Sequence, residues 1–285
     1  MILVTGATGS NGTELTKLLA SRGVPVRAMV RSRGAAEAIA ALAGVEIALG
    51  DFDDPASVER ALRGVESAFL LTNSSERAEA QQCAFVDSAR RTGLARIVKL
   101  SQFAADAASP VRFLRYHAAV EHAIEASGIA YTFLRPNLFM QGLLAFQGLI
   151  VSEGKFFAAA SDAKVSAVDV RDNAAAAAAA LTEPGHEGRT YDLTGPEALT
   201  HADMAASLSE ATGRSISFVD VPPEAMREAL LGAGVPVWQA DGLVEDYAHY
   251  RRGEASAVSS GVRDATGAPP RAFSAFARDY ASAFS

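Results

Sequence analysis

The sequence is short of the residues that several kinds of chemistry require. Its 285 residues include one cysteine, Cys83, which excludes an internal disulfide and a thiolate metal cluster. The neighbours in Gln82-Cys83-Ala84-Phe85-Val86 are those of a packed helix rather than of a reactive thiol. No apolar run approaches the roughly 20 residues that cross a bilayer. The alanine-rich run Ala174–Ala180 is too short and reads as a tightly packed helix. Basic residues are outnumbered, 26 Lys and Arg against 33 Asp and Glu, which argues against a nucleic-acid backbone as partner. The five histidines, His117, His122, His186, His201 and His249, are scattered and form no metal-ligand pattern, so no metal is expected. No Gly-x-Ser-x-Gly elbow marks a serine hydrolase. The chain opens on Met1-Ile2-Leu3-Val4-Thr5-Gly6 with no secretory pattern, and a cytoplasmic protein is expected.

What is present is alternation. Short apolar strands are expected at Ile2–Thr5, Val24–Val30, Val45–Leu49, Ala68–Leu71, Ile97–Leu100 and Tyr131–Leu134. Amphipathic helices are expected between them, one opened by Asp54-Pro55 and others closed by Gly23 and Gly93. Such alternation predicts parallel strands, right-handed crossovers and helices on both faces. Beyond Pro136 the pattern loosens. Phe139–Ile150 reads as helical and Val165–Leu181 as a return to the main domain. Then come a strand at Thr190–Leu193, a helix at Ala202–Ala211 and a strand at Ile216–Val221. The expected fold class is α/β, a Rossmann doubly wound parallel sheet with a smaller C-terminal α/β lobe. The dinucleotide domain is placed at 1–136 with a return segment at about 155–182. Residues 137–154 and 183–285 are placed in the lobe. The sheet leaves helical faces free for a homodimer.

Gly6-Ala7-Thr8-Gly9-Ser10-Asn11-Gly12 lies between the first strand and the first helix. A dinucleotide turn needs unusual backbone angles at Gly6, close pyrophosphate approach at Gly9 and tight helix–strand packing at Gly12. The free amides opening the helix then face the phosphates. The second strand ends in Met29-Val30-Arg31-Ser32-Arg33, without the acid that would accept hydrogen bonds from a ribose 2′-hydroxyl. Arg31 is the candidate partner of a 2′-phosphate, so NADP(H) is preferred over NAD(H). Asp51 and Phe52, after the third strand, could border the adenine, with Asp51 equally suited to capping a turn. Ligands lie across the carboxyl ends of such strands, which nominates the loops Leu71-Thr72-Asn73-Ser74 and Ser101-Gln102-Phe103 for the ribose and nicotinamide side.

Several segments together resemble the NmrA-like group of atypical short-chain dehydrogenases/reductases. They are Val4-Thr5-Gly6-Ala7-Thr8-Gly9, Gly50-Asp51-Phe52-Asp53-Asp54-Pro55, Val98-Lys99-Leu100-Ser101, His117-Ala118-Ala119-Val120-Glu121, Gly128-Ile129-Ala130-Tyr131-Thr132-Phe133-Leu134-Arg135-Pro136 and Tyr191-Asp192-Leu193-Thr194-Gly195-Pro196. The group includes triphenylmethane reductases, type 2 quinone oxidoreductases and redox-sensing regulators. The resemblance implies a cofactor role for Gly6, Thr8, Gly9, Ser10, Asn11, Gly12 and Arg31, and more loosely for Leu71, Thr72, Asn73, Ser101 and Pro136. It also implies a substrate cleft bordered by Asn137, Phe139 and Met140.

Mainstream members of that superfamily pair a tyrosine with a lysine four positions on, the ammonium lowering the phenol pKa. None of the four lysines here, Lys17, Lys99, Lys155 and Lys164, stands four residues after a tyrosine, and Val120 occupies that place after Tyr116. One reading is an NADP(H) oxidoreductase whose acceptor, a quinone-like or other conjugated small molecule, takes hydride without a strong acid. The catalytic candidates are then His117, with an ordinary pKa near neutrality, and Tyr116. The expected pocket lining is Phe103, Asn137, Phe139 and Met140. Two other readings stand beside it: a non-catalytic NADP(H) redox sensor, and a specialised reductase or epimerase lacking the Tyr–Lys pair.

Overall fold

The computed structural model describes every residue from Met1 to Ser285. Its first half runs β1 (Ile2–Val4), α1 (Ser10–Ser21), β2 (Val26–Val30), α2 (Glu37–Ala40), β3 (Val45–Leu49), α3 (Pro55–Leu62), β4 (Ser67–Leu70), α4 (Ala78–Thr92), β5 (Arg96–Leu100), α5 (Arg112–Ser127) and β6 (Ala130–Pro136). The second half adds α6 (Gln147–Glu153), β7 (Lys155–Ala158), α7 (Val170–Thr182), β8 (Arg189–Leu193), α8 (His201–Thr212) and β9 (Ser217–Asp220). It closes with α9 (Pro223–Gly232), α10 (Val237–Arg251), α11 (Gly261–Thr266) and α12 (Phe273–Asp279).

Local chemistry accounts for many of these boundaries. The Asp54 carboxylate accepts from Ala56 N at 3.1 Å, and Pro55, which has no amide to lose, begins α3. Gly93 and Gly128 end α4 and α5 in the left-handed region, at φ +72° and +76°. Thr200 and Asp203 close a reciprocal capping box at the start of α8.

Seven parallel strands form the main sheet in the order β3-β2-β1-β4-β5-β6-β8. The order reverses between β1 and β4, and a crevice opens there above the carboxyl ends. The central strands are apolar on both sides because helices cover both faces. One face packs Leu15 and Leu19 of α1 with the alanines of α7, and the other packs Phe85 of α4 with Val120 and Ile124 of α5. Helix α7 buries Ala174 and Ala176–Ala180 and lies along α1. A third core, holding Ile150, Phe156, Leu208 and Phe276, belongs to the smaller lobe.

Two expectations need correction. The strand at Arg189–Leu193, assigned with residues 183–285 to the lobe, extends the main sheet beyond β6, with Leu134 opposite Tyr191 and Pro136 opposite Leu193. Without it the open backbone groups of β6 would lack partners. Helix α11 follows it into the main core through Val262 and Ala265. Conversely, Lys155–Ala158 lies inside the expected return segment but pairs with β9 in a separate two-stranded parallel sheet; the return to the main domain is made by α7. The stretch expected to be helical at Phe139–Ile150 is helical, a tight three-residue-per-turn helix over Met140–Phe146 that passes into α6. No helix is long and apolar enough to cross a membrane.

Candidate functional site

The turn from β1 into α1 is built from backbone. Gly6 has φ +59°, and a Cβ there would crowd the Leu71 carbonyl at 3.1 Å. The first helical hydrogen bond runs from Thr13 N to Gly9 O at 2.8 Å, so the amides of Ser10, Asn11 and Gly12 have no intrahelical acceptor. A Cβ on Gly12 would press into the Gly6 carbonyl and sit 2.7 Å from Ala7 Cα. Thr5 ties the turn to the next strand: Leu71 N donates to its hydroxyl at 2.8 Å, and that hydroxyl faces the Phe69 and Leu71 carbonyls, each at 3.0 Å. Asn11 accepts from Asn173 Nδ2 of α7 at 3.1 Å, which fixes the start of α1 from behind.

Two cavities share Gly6, Gly9, Leu71, Thr72 and Asn73 and so form one groove across the strand ends. The first, of about 300 Å³, is lined by Thr8, Arg31, Asp51 and Phe52 as well. Arg31 is exposed and makes no ion pair, leaving its guanidinium free at the rim. Asp51 accepts from Asp53 N at 2.9 Å and therefore also caps its own turn. Asp53 is in turn engaged by Arg77 at 2.6 Å and Gln81 at 2.8 Å.

The second cavity, of about 350 Å³, also takes in Ser10, Asn11, Ser101, Pro136, Tyr116 and His117. Gln82 Nε2 donates to Thr72 Oγ1 at 2.8 Å and orients it. The Ser101 hydroxyl is buried without a partner. A buried orphan donor on the wall of a groove that begins at unpaired helix amides fits a dinucleotide: phosphates at the amides, ribose and nicotinamide along Thr72 and Ser101. Gly12 lines neither cavity; its part is the close packing of helix on strand.

Tyr116 and His117 stand side by side on α5, ring centroids 4.1 Å apart, both buried. The Tyr116 hydroxyl meets Ser74 Oγ at 3.1 Å, and burial pushes its pKa up to about 12, so it keeps its proton near neutrality. For His117 the expectation of titration near neutrality is corrected. Burial first, then the Lys99 and Arg135 charges, hold the imidazole well below its ordinary range. The cause was not foreseen: Lys99 of β5, fully buried, places Nζ 2.7 Å from His117 Nδ1. Burial lowers Lys99 in turn to about 7.

The expected substrate residues divide. Phe139 lines the groove. Asn137 lines it too, but its amide is already used: Nδ2 donates to Ser166 Oγ at 2.9 Å and Ala255 O at 2.8 Å, and Oδ1 accepts from Leu138 N at 2.8 Å. It is a brace between segments rather than a free ligand. Phe103 donates its amide to the Pro136 carbonyl at 2.8 Å and its ring is not part of the groove lining. Met140 faces a different space, an apolar chamber of about 260 Å³ in the smaller lobe, walled by Leu143, Phe156, Met226 and Tyr247.

That chamber shares Leu138, Phe139, Leu243, Asp246 and Tyr250 with the groove, so it opens beside the end walled by Pro136 and His117. Asp246 of α10 stands at the junction. Gln102 Nε2 donates to its two oxygens at 3.0 and 3.1 Å and Tyr250 OH to Oδ2 at 2.9 Å, while burial raises its carboxyl to about 7. Lys99, Asp246 and Tyr250 were missed by sequence reasoning, and Gln102 was nominated only by its place in the loop after the fifth strand. The only signal was a lysine inside the otherwise apolar strand Ile97-Val98-Lys99-Leu100.

Known proteins match this architecture over its full length. The chain is 37% identical over 284 residues to an NAD(P)H azoreductase of Xenophilus azovorans, covering 100% of this chain and 99% of that one. It is 38% identical over 291 residues to a (4-alkanoyl-5-oxo-2,5-dihydrofuran-3-yl)methyl phosphate reductase of Streptomyces griseus, covering 100% and 99%. Among solved structures, an NADPH-dependent quinone oxidoreductase of Escherichia coli complexed with NADPH superposes with a TM-score of 0.86 at 30% identity, covering 98% of this chain and 99% of that one. The NmrA-like family model matches residues 1–260, and the chain belongs to the NmrA-like family.

Proposed function

We propose that this protein is an NADP(H)-dependent reductase that delivers hydride to a conjugated, electron-poor small molecule of the quinone or azo class. The observation that carries the reading is the continuity of three spaces. A groove runs from the free Arg31 guanidinium, past the unpaired amides of α1, to the orphan Ser101 hydroxyl, and there meets an apolar chamber. Such a chamber suits a flat apolar acceptor better than a sugar or a peptide. The relatives support the same class, since their names describe reduction of azo compounds and quinones with NAD(P)H or NADPH.

In this reading Gly6, Gly9, Ser10 and Asn11 hold the diphosphate, and Gly12 lets the helix sit close enough to do so. Thr8 and Phe52 border the adenosine, and Arg31 pairs with a 2′-phosphate, which gives the preference for NADP(H). Leu71, Thr72, Asn73, Ser101 and Pro136 border the nicotinamide riboside. The reduced nicotinamide supplies the hydride when bound. Tyr116 and Phe139 offer ring faces that align the acceptor, and His117 turns its free edge to the same space.

Loss of NADPH absorbance with a benzoquinone, a naphthoquinone, an azo dye and several simple ketones tests this. Turnover of a conjugated acceptor of order 1 per second or faster supports it. Tight NADPH binding without turnover of any of them overturns the reductase and leaves a nucleotide sensor.

A further inference from the structure

Burying a lysine completely is costly unless its charge is put to use. Lys99 is fully enclosed between β5 and α5, and apart from His117 Nδ1 its only other acceptor is the Leu100 carbonyl at 3.4 Å. A lysine nitrogen always has hydrogens to give, so Lys99 donates to Nδ1. The contact fixes the imidazole tautomer: Nδ1 accepts, and the single ring proton sits on Nε2. Nε2 has no partner in the protein and is not sealed from solvent, and His117 lines the groove. The ring therefore stands between an enclosed ammonium and the acceptor space, with its N–H directed to the latter.

We propose that Lys99 and His117 form a proton relay, in which the Lys99 ammonium is the reservoir and His117 hands the proton to the reduced substrate. The relay deepens the reductase reading above and rests on it. Hydride arrival from the reduced nicotinamide adds two electrons and one hydrogen to a neutral azo or quinone acceptor and leaves an anion on nitrogen or oxygen. The His117 Nε2–H bond breaks as that anion takes the proton, and a proton from Lys99 Nζ forms the new Nδ1–H bond. No imidazolate is created, Lys99 is left as a neutral amine, and His117 is left neutral in the other tautomer. When product leaves, a solvent proton enters at Nε2 and the Nδ1 proton returns to Lys99.

The surroundings suit a reservoir that must both hold and release a proton. Burial brings Lys99 down to about 7, while the charges nearest it work against each other: Glu121 of α5 favours the ammonium and Arg135 of β6 opposes it. Those two are themselves paired at 3.0 Å. Cys83 of α4, the remaining titratable group near Lys99, has its thiol raised by burial and stays neutral, and Tyr116 beside the ring stays protonated.

A cationic triphenylmethane dye provides the control, because hydride alone converts it to a neutral product and no proton is needed. Lys99→Met is expected to lower kcat for a neutral azo dye or quinone by roughly 100-fold, the usual reach of a positioned acid, and to lower it far less for the cationic dye. For the neutral acceptor, kcat of the unaltered protein should fall as pH rises through about 7, where Lys99 loses its proton, and the cationic dye should show no such fall. His117→Gln, which keeps a donor but cannot relay, should likewise cost the neutral acceptor far more in kcat than it costs the cationic dye. Equal losses on both acceptor classes, or none on either, would overturn the relay while leaving the reductase standing. Failure of the unaltered protein to reduce any acceptor would instead remove the reductase, and the relay with it.

Discussion

Asp246 gives the sharpest test of how the cleft is built. The residue is 6% exposed and sits between groove and chamber, and burial raises its carboxyl from an ordinary 3.8 to about 7. The sign follows from proton counting. Between those two values the folded protein holds a proton that the unfolded chain has released, so stability falls as pH rises through that window and the full penalty is present above pH 7. A shift of that size at ~1.4 kcal/mol per pK unit corresponds to ~4 kcal/mol, an upper figure because a buried carboxylate relaxes toward solvent when it ionises. Asp246→Asn removes the titration and keeps an acceptor oxygen for Gln102 or Tyr250. Urea unfolding of both proteins at about pH 5 and about pH 8 reads the difference. The variant should be no more stable than the parent at the lower pH and should gain on it by a few kcal/mol at the higher one. A gap between the two proteins that does not change with pH would refute the argument, since Asp246 would then be ionised at both.

Three further outcomes follow from the nucleotide groove. Arg31→Ala should weaken NADPH binding by roughly 10- to 100-fold in calorimetry, the worth of one charged hydrogen-bond pair, and leave NADH binding nearly unchanged. Gly12→Ala forces a methyl against the Gly6 carbonyl and Ala7 Cα, both of them backbone, so α1 must move; a loss of ~1–3 kcal/mol in unfolding and a large loss of NADPH affinity are expected. Ser101→Ala removes a buried hydroxyl that has no partner in the protein, so the ligand-free melting temperature should hold or rise while NADPH affinity drops. Retained affinity in that variant would show that the hydroxyl does not face the cofactor.

The glycine turn from β1 into α1 was legible because its requirements are local. Gly6 acts through its backbone angle and Gly12 through its missing side-chain atoms within one strand–turn–helix unit, and spacing alone identifies such a unit. The chemical end was not legible, because its contacts cross the fold. Lys99 and His117 are 18 positions apart and meet only once β5 and α5 are packed, while Gln102 and Asp246 are 144 apart. A search for a lysine four residues after a tyrosine looks along one helix and passes over a lysine that reaches in from a strand. Asn137 shows the opposite failure. Its position beside Pro136 is right for a ligand, but only the structure reveals that Ser166 and Ala255 have already claimed its amide. The edge strand β8 was misplaced for a related reason: alternation marks a strand without saying which sheet completes its hydrogen bonds.

The alanine face of α7 has a consequence for how this molecule can vary. Methyl groups are the smallest side chains that still exclude water, and they let two helix axes approach near the lower limit of about 8 Å. Helix α1 is thereby clamped along its length, and its first turn has little freedom to drift away from a bound anion. Any added methylene along Ala176–Ala180 would act like a shim under a lever, small at the point of insertion and larger at the far end where α1 begins. Drift in sequence is therefore expensive on nearly every side of this helix, where only Arg171, Ala175 and Thr182 escape burial.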